Sequence, residues 1–204
     1  MQTAHDMTAE KEIGEEDFLR ADLYGLLSNL LAAPPDAATL ENLSALQGDA
    51  SDMGKNIALL SQMARSTTPR DAEREFNALF IGLSRGELLP YASYYLTGFL
   101  NEKPLARLRQ DMARLGIEKS GDHSEPEDHI ATLMEIMAGL IRGQFAAPVC
   151  LNVQNEFFTA HLKPWAEHFF TDLENAKGSA LYVPVGRIGQ AFMQVEDQAF
   201  RMES

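Results

Sequence analysis

From Asp17 to Ala32, apolar side chains fall at Phe18, Leu19, Leu23, Tyr24, Leu26, Leu27, Leu30 and Leu31, spacings that cover one broad helix face. Pro34 and Pro35 end that helix. A second helix is expected from Asp36 to Leu46 and a third from Asp52 to Arg65, with Gly48, Pro69 and Ser/Thr clusters as punctuation. Asp71 to Ile81 carries Phe76, Leu79 and Phe80 behind Glu73, Arg74 and Glu75, which predicts a helix presenting an aromatic edge and closed by Gly82. Leu83 to Ala92, with Gly86 and Pro90, has neither period and reads as an ordered loop and a candidate hinge.

Ser93 to Leu100 predicts a short helix and Pro104 to Leu115 a longer one, with Gly116 just past its end. The clearest stripe, Ile130, Leu133, Met134, Met137, Leu140 and Ile141, predicts a helix from Glu125 to Arg142 closed by Gly143. Pro148 opens one to Leu162, Pro164 another to Asn175, and Gly186 to Met202 a last one with Ile188, Phe192, Val195 and Phe200 inward. No strand pattern of useful length and no repeat appears. The fold class is therefore all-α, a single-domain helical bundle of roughly nine to eleven helices, with residues 1–15 as a flexible N-terminal segment and 16–204 as the helical domain.

A length of 204 residues suits one sizeable core, and 45% hydrophobic with 23% charged residues describes a chain that folds. The 17 Lys+Arg against 30 Asp+Glu give a net charge of −13, a field that repels phosphate backbones and anionic lipid and attracts cationic peptides. Cys150 stands alone, so no intramolecular disulfide forms, and its apolar surroundings predict burial. The N-terminus lacks the basic-then-apolar order of a secretory signal. The run Leu23 to Ala33 falls short of the ~20 residues a membrane span needs. A soluble chain that is not itself exported is expected.

Gly48 and Gly54-Lys55 are a poor phosphate loop, because five residues rather than four separate the glycines and Asn56 replaces Ser/Thr. The usual short signatures of zinc, nucleotide and hydrolase chemistry are missing as well. The densest polar segment is Ser124-Glu125-Pro126-Glu127-Asp128-His129. One reading is helix chemistry: Ser124 as N-cap, Glu127 completing a capping box, Pro126 in the first turn and carboxylates at the positive helix end. It leaves His129 unexplained, since that helix end disfavours an imidazolium. A second reading is a peptide site, whose carboxylates accept charge-assisted hydrogen bonds from arginine. A third is a metal-dependent hydrolase built on Glu125, Asp128 and His129, with His123 as a further ligand, although the spacing matches no zinc or calcium pattern. Tyr24, Phe76, Leu79, Phe80, Tyr91, Tyr94 and Tyr95 line a groove or belong to the core. Trp165, His161 and His168 read as structural.

Glu125-Pro126-Glu127-Asp128-His129 resembles the E-P-x-D-H signature of the TorD/DmsD redox-enzyme maturation chaperones. Glu75 to Phe80 is similar to that family's aromatic-x-x-Leu-Phe segment, and Pro90 to Tyr95 to its P-x-E-S-x-Y loop. Gln154, Phe157, His161, Leu162, Pro164 and Trp165 resemble its Q-x-x-F-x-x-x-H-L-x-P-W segment. Ala92 stands where many relatives carry glutamate, and Gly82-Leu83-Ser84 lacks their G-P-G, so signal preference is open.

The resemblance implies an all-α cytoplasmic chaperone, not an enzyme. It would bind the twin-arginine signal peptide or the immature catalytic subunit of a molybdenum-cofactor oxidoreductase and delay export until the cofactor is inserted. Glu125, Asp128 and Glu127 would meet the cationic half of the signal, with His129 orienting a carboxylate or contacting peptide backbone. Tyr24, Phe76, Leu79, Phe80 and Tyr94 would meet its apolar half, with Tyr91, Ser93 and Pro126 completing the site. GTP is implied by resemblance only, no metal is expected, and the chain would be a monomer or a domain-swapped homodimer. A NarJ-like variant of this reading grips the folded body of the client instead of its signal.

Overall fold

The computed structural model describes residues 14–82, 85–118, 125–145 and 148–202. Among them are ten α-helices and no strand: α1 Glu15–Ala32, α2 Ala37–Ser44, α3 Asp52–Ser66, α4 Pro69–Phe76, α5 Ala92–Thr97, α6 Lys103–Arg114, α7 Ile130–Arg142, α8 Leu151–His161, α9 Ala166–Asn175 and α10 Tyr182–Met202. A π-turn, Asn77–Ile81, prolongs α4. The all-helical class expected from periodicity is the one observed. No helix among the described residues is long and apolar enough to cross a membrane.

The chain gathers into two compact units. The first holds residues up to Ser28 and Tyr91–Pro164, and the second Asn29–Pro90 and Trp165–Ser204. In the first, α5 packs on α6, and α8 on both α6 and α7. The stripe of α7 is sealed, with Ile130, Leu133, Met134 and Met137 all at 0% exposure. Ser28 of α1 donates its hydroxyl to the Ala131 carbonyl at 2.8 Å, and Arg142 pairs with Asp22.

In the second unit α10 lies against α9 and α3, and α2 against α3. Gly186 and Gly189 permit the first of these contacts. A Cβ on Gly189 would stand 2.2 Å from the Phe170 ring, and one on Gly186 2.8 Å from the Phe170 carbonyl oxygen. Trp165 is buried and packs on Phe169, as expected of an anchor. The Glu75 carboxylate accepts the backbone N–H groups of Ala180, Leu181 and Tyr182 at 2.7, 3.2 and 3.0 Å, so the start of α10 is capped by a side chain from α4.

Several expectations need correction. The helix predicted from Glu125 begins five residues later at Ile130, because Glu125–Asp128 form a turn whose polar groups bond to other elements. The last helix starts at Tyr182, not Gly186, since the Glu75 cap and Pro184 in the first turn extend it backwards. Val195 is 54% exposed, off the inward stripe. Cys150 is half-buried at the N-cap of α8. The aromatic edge of 71–81 is not presented at all: Phe76, Leu79 and Phe80 are core. The N-terminal residues 1–13, the proposed cap Ser124, and His123 lie outside the described residues.

Candidate functional site

The segment Glu125–His129 works as a clip between helices of the first unit. Helix α5 begins after Tyr91, whose side chain makes no capping hydrogen bond to the helix. Asp128 supplies the cap instead. Its backbone carbonyl accepts the Ala92 N–H at 2.9 Å and its Oδ2 accepts the Ser93 N–H at 2.8 Å. The next residue caps a different helix: His129 is the N-cap of α7, and its Nδ1 accepts the Ala131 N–H at 3.1 Å. Glu127 turns to α6, where the Arg109 guanidinium donates to its Oε2 from Nε at 3.0 Å and Nη2 at 2.8 Å. The Glu127 carboxylate, assigned from sequence to a capping box, is engaged in an ion pair, and Ser124, the other half of that box, lies outside the described residues.

Glu125 differs from its neighbours. Its side chain is 56% exposed, whereas Glu127 is 8% exposed and Asp128 1%. Tyr91 donates its hydroxyl to Glu125 Oε2 at 2.9 Å, and His129 Nε2 stands 3.8 Å from the same oxygen. The Tyr91 and His129 rings meet edge to face at 5.0 Å, and their backbones form an isolated antiparallel bridge. With Nδ1 committed as an acceptor, the neutral imidazole carries its proton on Nε2, facing Glu125. Burial lowers the His129 pKa below the ordinary histidine value, although Glu125 and Asp128 pull it up. Protonation at Nδ1 would also break the α7 cap. Burial and then the Glu125 hydrogen bond raise the Tyr91 phenol far above its ordinary value, so it remains a donor.

Of the residues read from sequence as one site, Tyr91, Ser93, Glu125, Glu127, Asp128 and His129 are brought together. Tyr94 lies close by in sequence on α5, half-buried, its ring 6.1 Å from Tyr95. Tyr24 belongs to the same unit but has 0% exposure. Phe76, Leu79 and Phe80 belong to the second unit, where Phe76 and Phe80 meet edge to face at 4.9 Å and both rings meet Tyr182, at 6.2 and 5.6 Å. Arg109 was missed, since nothing in the sequence links it to a carboxylate 18 residues away. His161, read as structural, is buried and held to Asp111 at 2.9 Å. Among the described residues no group of three His, Cys, Asp or Glu side chains gathers that could hold a metal ion, and His123 lies outside them.

The chain matches the family model described as nitrate reductase delta subunit over residues 46–171. It is 29% identical over 195 residues to the chaperone protein TorD of Vibrio cholerae serotype O1 (strain ATCC 39541), covering 86% of this chain and 89% of the relative. It is 26% identical over 200 residues to TorD of Vibrio atlanticus, covering 88% and 93%. Its fold is similar to that of a redox enzyme maturation protein of Archaeoglobus fulgidus, with a TM-score of 0.57 at 22% identity over 86% of this chain and 94% of that one.

Proposed function

The chain belongs to the TorD family of redox-enzyme maturation chaperones, the family of the nitrate reductase delta subunit, and on that premise we propose that it binds the twin-arginine signal of a molybdoenzyme catalytic subunit in the cytoplasm. Covering the signal delays export until the client has received its cofactor. The work is binding rather than catalysis.

The observation that carries this reading is the exposed Glu125 carboxylate, backed by a phenol and an imidazole that are both fixed in orientation. An arginine guanidinium can pair with such a carboxylate while its flat face lies on Tyr91. The net charge of −13 adds a long-range attraction for a basic segment that weakens as salt rises. Asp128, Glu127 and Ser93 act through this surface by holding α5 and α6 in place. Tyr94 offers half-exposed apolar area to the remainder of the signal. Tyr24, Phe76, Leu79 and Phe80 contribute through packing, since all four are buried.

Calorimetric titration with a twin-arginine signal peptide from a molybdoenzyme tests the proposal. Saturable binding is expected, weakened about tenfold or more when both arginines become alanine. Equal affinity for the two peptides would overturn it, as would binding only to a client that lacks its signal.

A further inference from the structure

A cavity of about 340 Å³ lies among α5, α6, α7 and α8 of the first unit, at the small end of the roughly 300–1,000 Å³ typical of ligand pockets. Leu96, Leu108 and Leu133 give it apolar walls. His161 is part of the wall too, but its Nε2 is already engaged with Asp111.

Two polar features set the chemistry. Asp128 lines the cavity at 1% exposure, and its Oδ1 has no hydrogen-bond partner among the described residues, although Oδ2 is committed to the Ser93 N–H. A buried carboxylate oxygen without a donor is costly, and a ligand N–H or O–H would relieve that cost. Lys103 and Arg107 also line the cavity, one turn apart on α6, and both are exposed. Neither enters an ion pair among the described residues, although Arg109 and Arg114 of the same helix pair with Glu127 and with Asp111 and Glu156. The start of α6 adds its own positive end there, for Glu102 makes no side-chain cap.

A cationic rim favours an anionic group at the mouth, which separates this cavity from the signal contact on Glu125. We propose that the cavity binds an apolar residue ending in a carboxylate and carrying an N–H donor. The carboxylate pairs with Lys103 and Arg107, the apolar side chain lies on the leucines, and the N–H meets Asp128 Oδ1. Such a group is presented by the C-terminal residue of a peptide or by a free N-acyl amino acid.

Titration of the isotope-labelled full chain with N-acetyl-leucine, followed by amide NMR, tests this. Saturable shifts are expected at Thr97, Leu105 and Leu108. N-acetyl-leucinamide, which lacks the carboxylate, should bind about tenfold more weakly. The surface variant Lys103→Gln/Arg107→Gln should lose a similar factor for N-acetyl-leucine while leaving affinity for the twin-arginine peptide within about twofold. A leucine-terminated tetrapeptide that binds more tightly than N-acetyl-leucine identifies a chain end as the source; equal affinities identify a free small molecule. No saturable shift, equal binding of acid and amide, or equal binding of inorganic phosphate would overturn the proposal.

Discussion

Two carboxylates in this protein cap helices that are not their own, and their surroundings differ. Glu75 holds the start of α10 in the second unit, beside a cluster in which Phe76, Phe80 and Tyr182 are buried against one another. Asp128 holds the start of α5 in the first, but there the neighbouring Glu125 faces solvent next to an oriented phenol and imidazole. Both segments carry motifs that resemble one family. In one the motif is packed into the fold; in the other one carboxylate stays exposed. A motif is therefore sorted into structure or recognition by which of its atoms remain accessible once the helix ends are satisfied.

Removing the structural carboxylate should cost most. Glu75→Ala orphans three backbone N–H groups and is expected to lower stability by about 3 kcal/mol, a Tm loss of roughly 6–12 °C for a chain of this size. Asp128→Ala should cost about 2 kcal/mol through the lost α5 cap, whereas Asp128→Asn, which keeps an acceptor for the Ser93 N–H, should recover most of it. Denaturant unfolding distinguishes these cases. If Asp128→Ala proves as stable as the parent, the clip does not hold α5.

Periodicity made the helices legible because a buried stripe forces apolar residues to recur at helical spacing, as α7 shows at Ile130, Leu133, Met134 and Met137. The start of that helix was illegible for a physical reason. Ser-x-x-Glu signals a cap only when the intervening backbone is helical, and here residues 125–128 form a turn from which the Glu127 carboxylate pairs with Arg109 of α6. The backward extension of α10 was hidden in the same way, since its cap comes from a residue 107 positions earlier. For the candidate site, the polar segment was legible in the sequence and Glu125, Asp128 and His129 do come together with Tyr91 and Ser93, whereas Phe76, Leu79 and Phe80 are core of the second unit. Alternation of polar and apolar letters could not tell that Glu125 faces solvent while Asp128 does not. The Lys103/Arg107 rim left no mark because surface cations read alike on an amphipathic helix, whether or not a carboxylate stands beside them.

A smaller effect is expected from pH. The folded-state pKa of His129 lies below its unfolded value because burial disfavours the imidazolium, so the unfolded chain takes up the proton first as pH falls. Its contribution to stability is full above the ordinary histidine pKa, about 6.5, and is lost as pH drops below that value toward the depressed one. The slope is at most about 1.4 kcal/mol per pH unit for one group. His161, also lowered by burial, contributes in the same direction. His129→Asn retains a good N-cap for α7 and removes one titrating group. Its stability should fall less steeply between neutral and mildly acid pH than that of the parent, and an unchanged slope would mean that His129 is not held neutral.

The smallest expected change in stability accompanies the largest expected change in recognition. Glu125→Gln keeps an acceptor for the Tyr91 hydroxyl and lies at a position with 56% side-chain exposure, so its effect on stability should stay within about 0.5 kcal/mol. It removes the charge that a guanidinium would pair with, and twin-arginine peptide affinity should fall about tenfold. Asp128→Asn leaves Glu125 charged and α5 capped, so it should leave that affinity within about threefold. The opposite ranking, with Asp128→Asn abolishing binding and Glu125→Gln harmless, would place the recognition charge on the buried oxygen and require α5 to move aside before a signal could reach it.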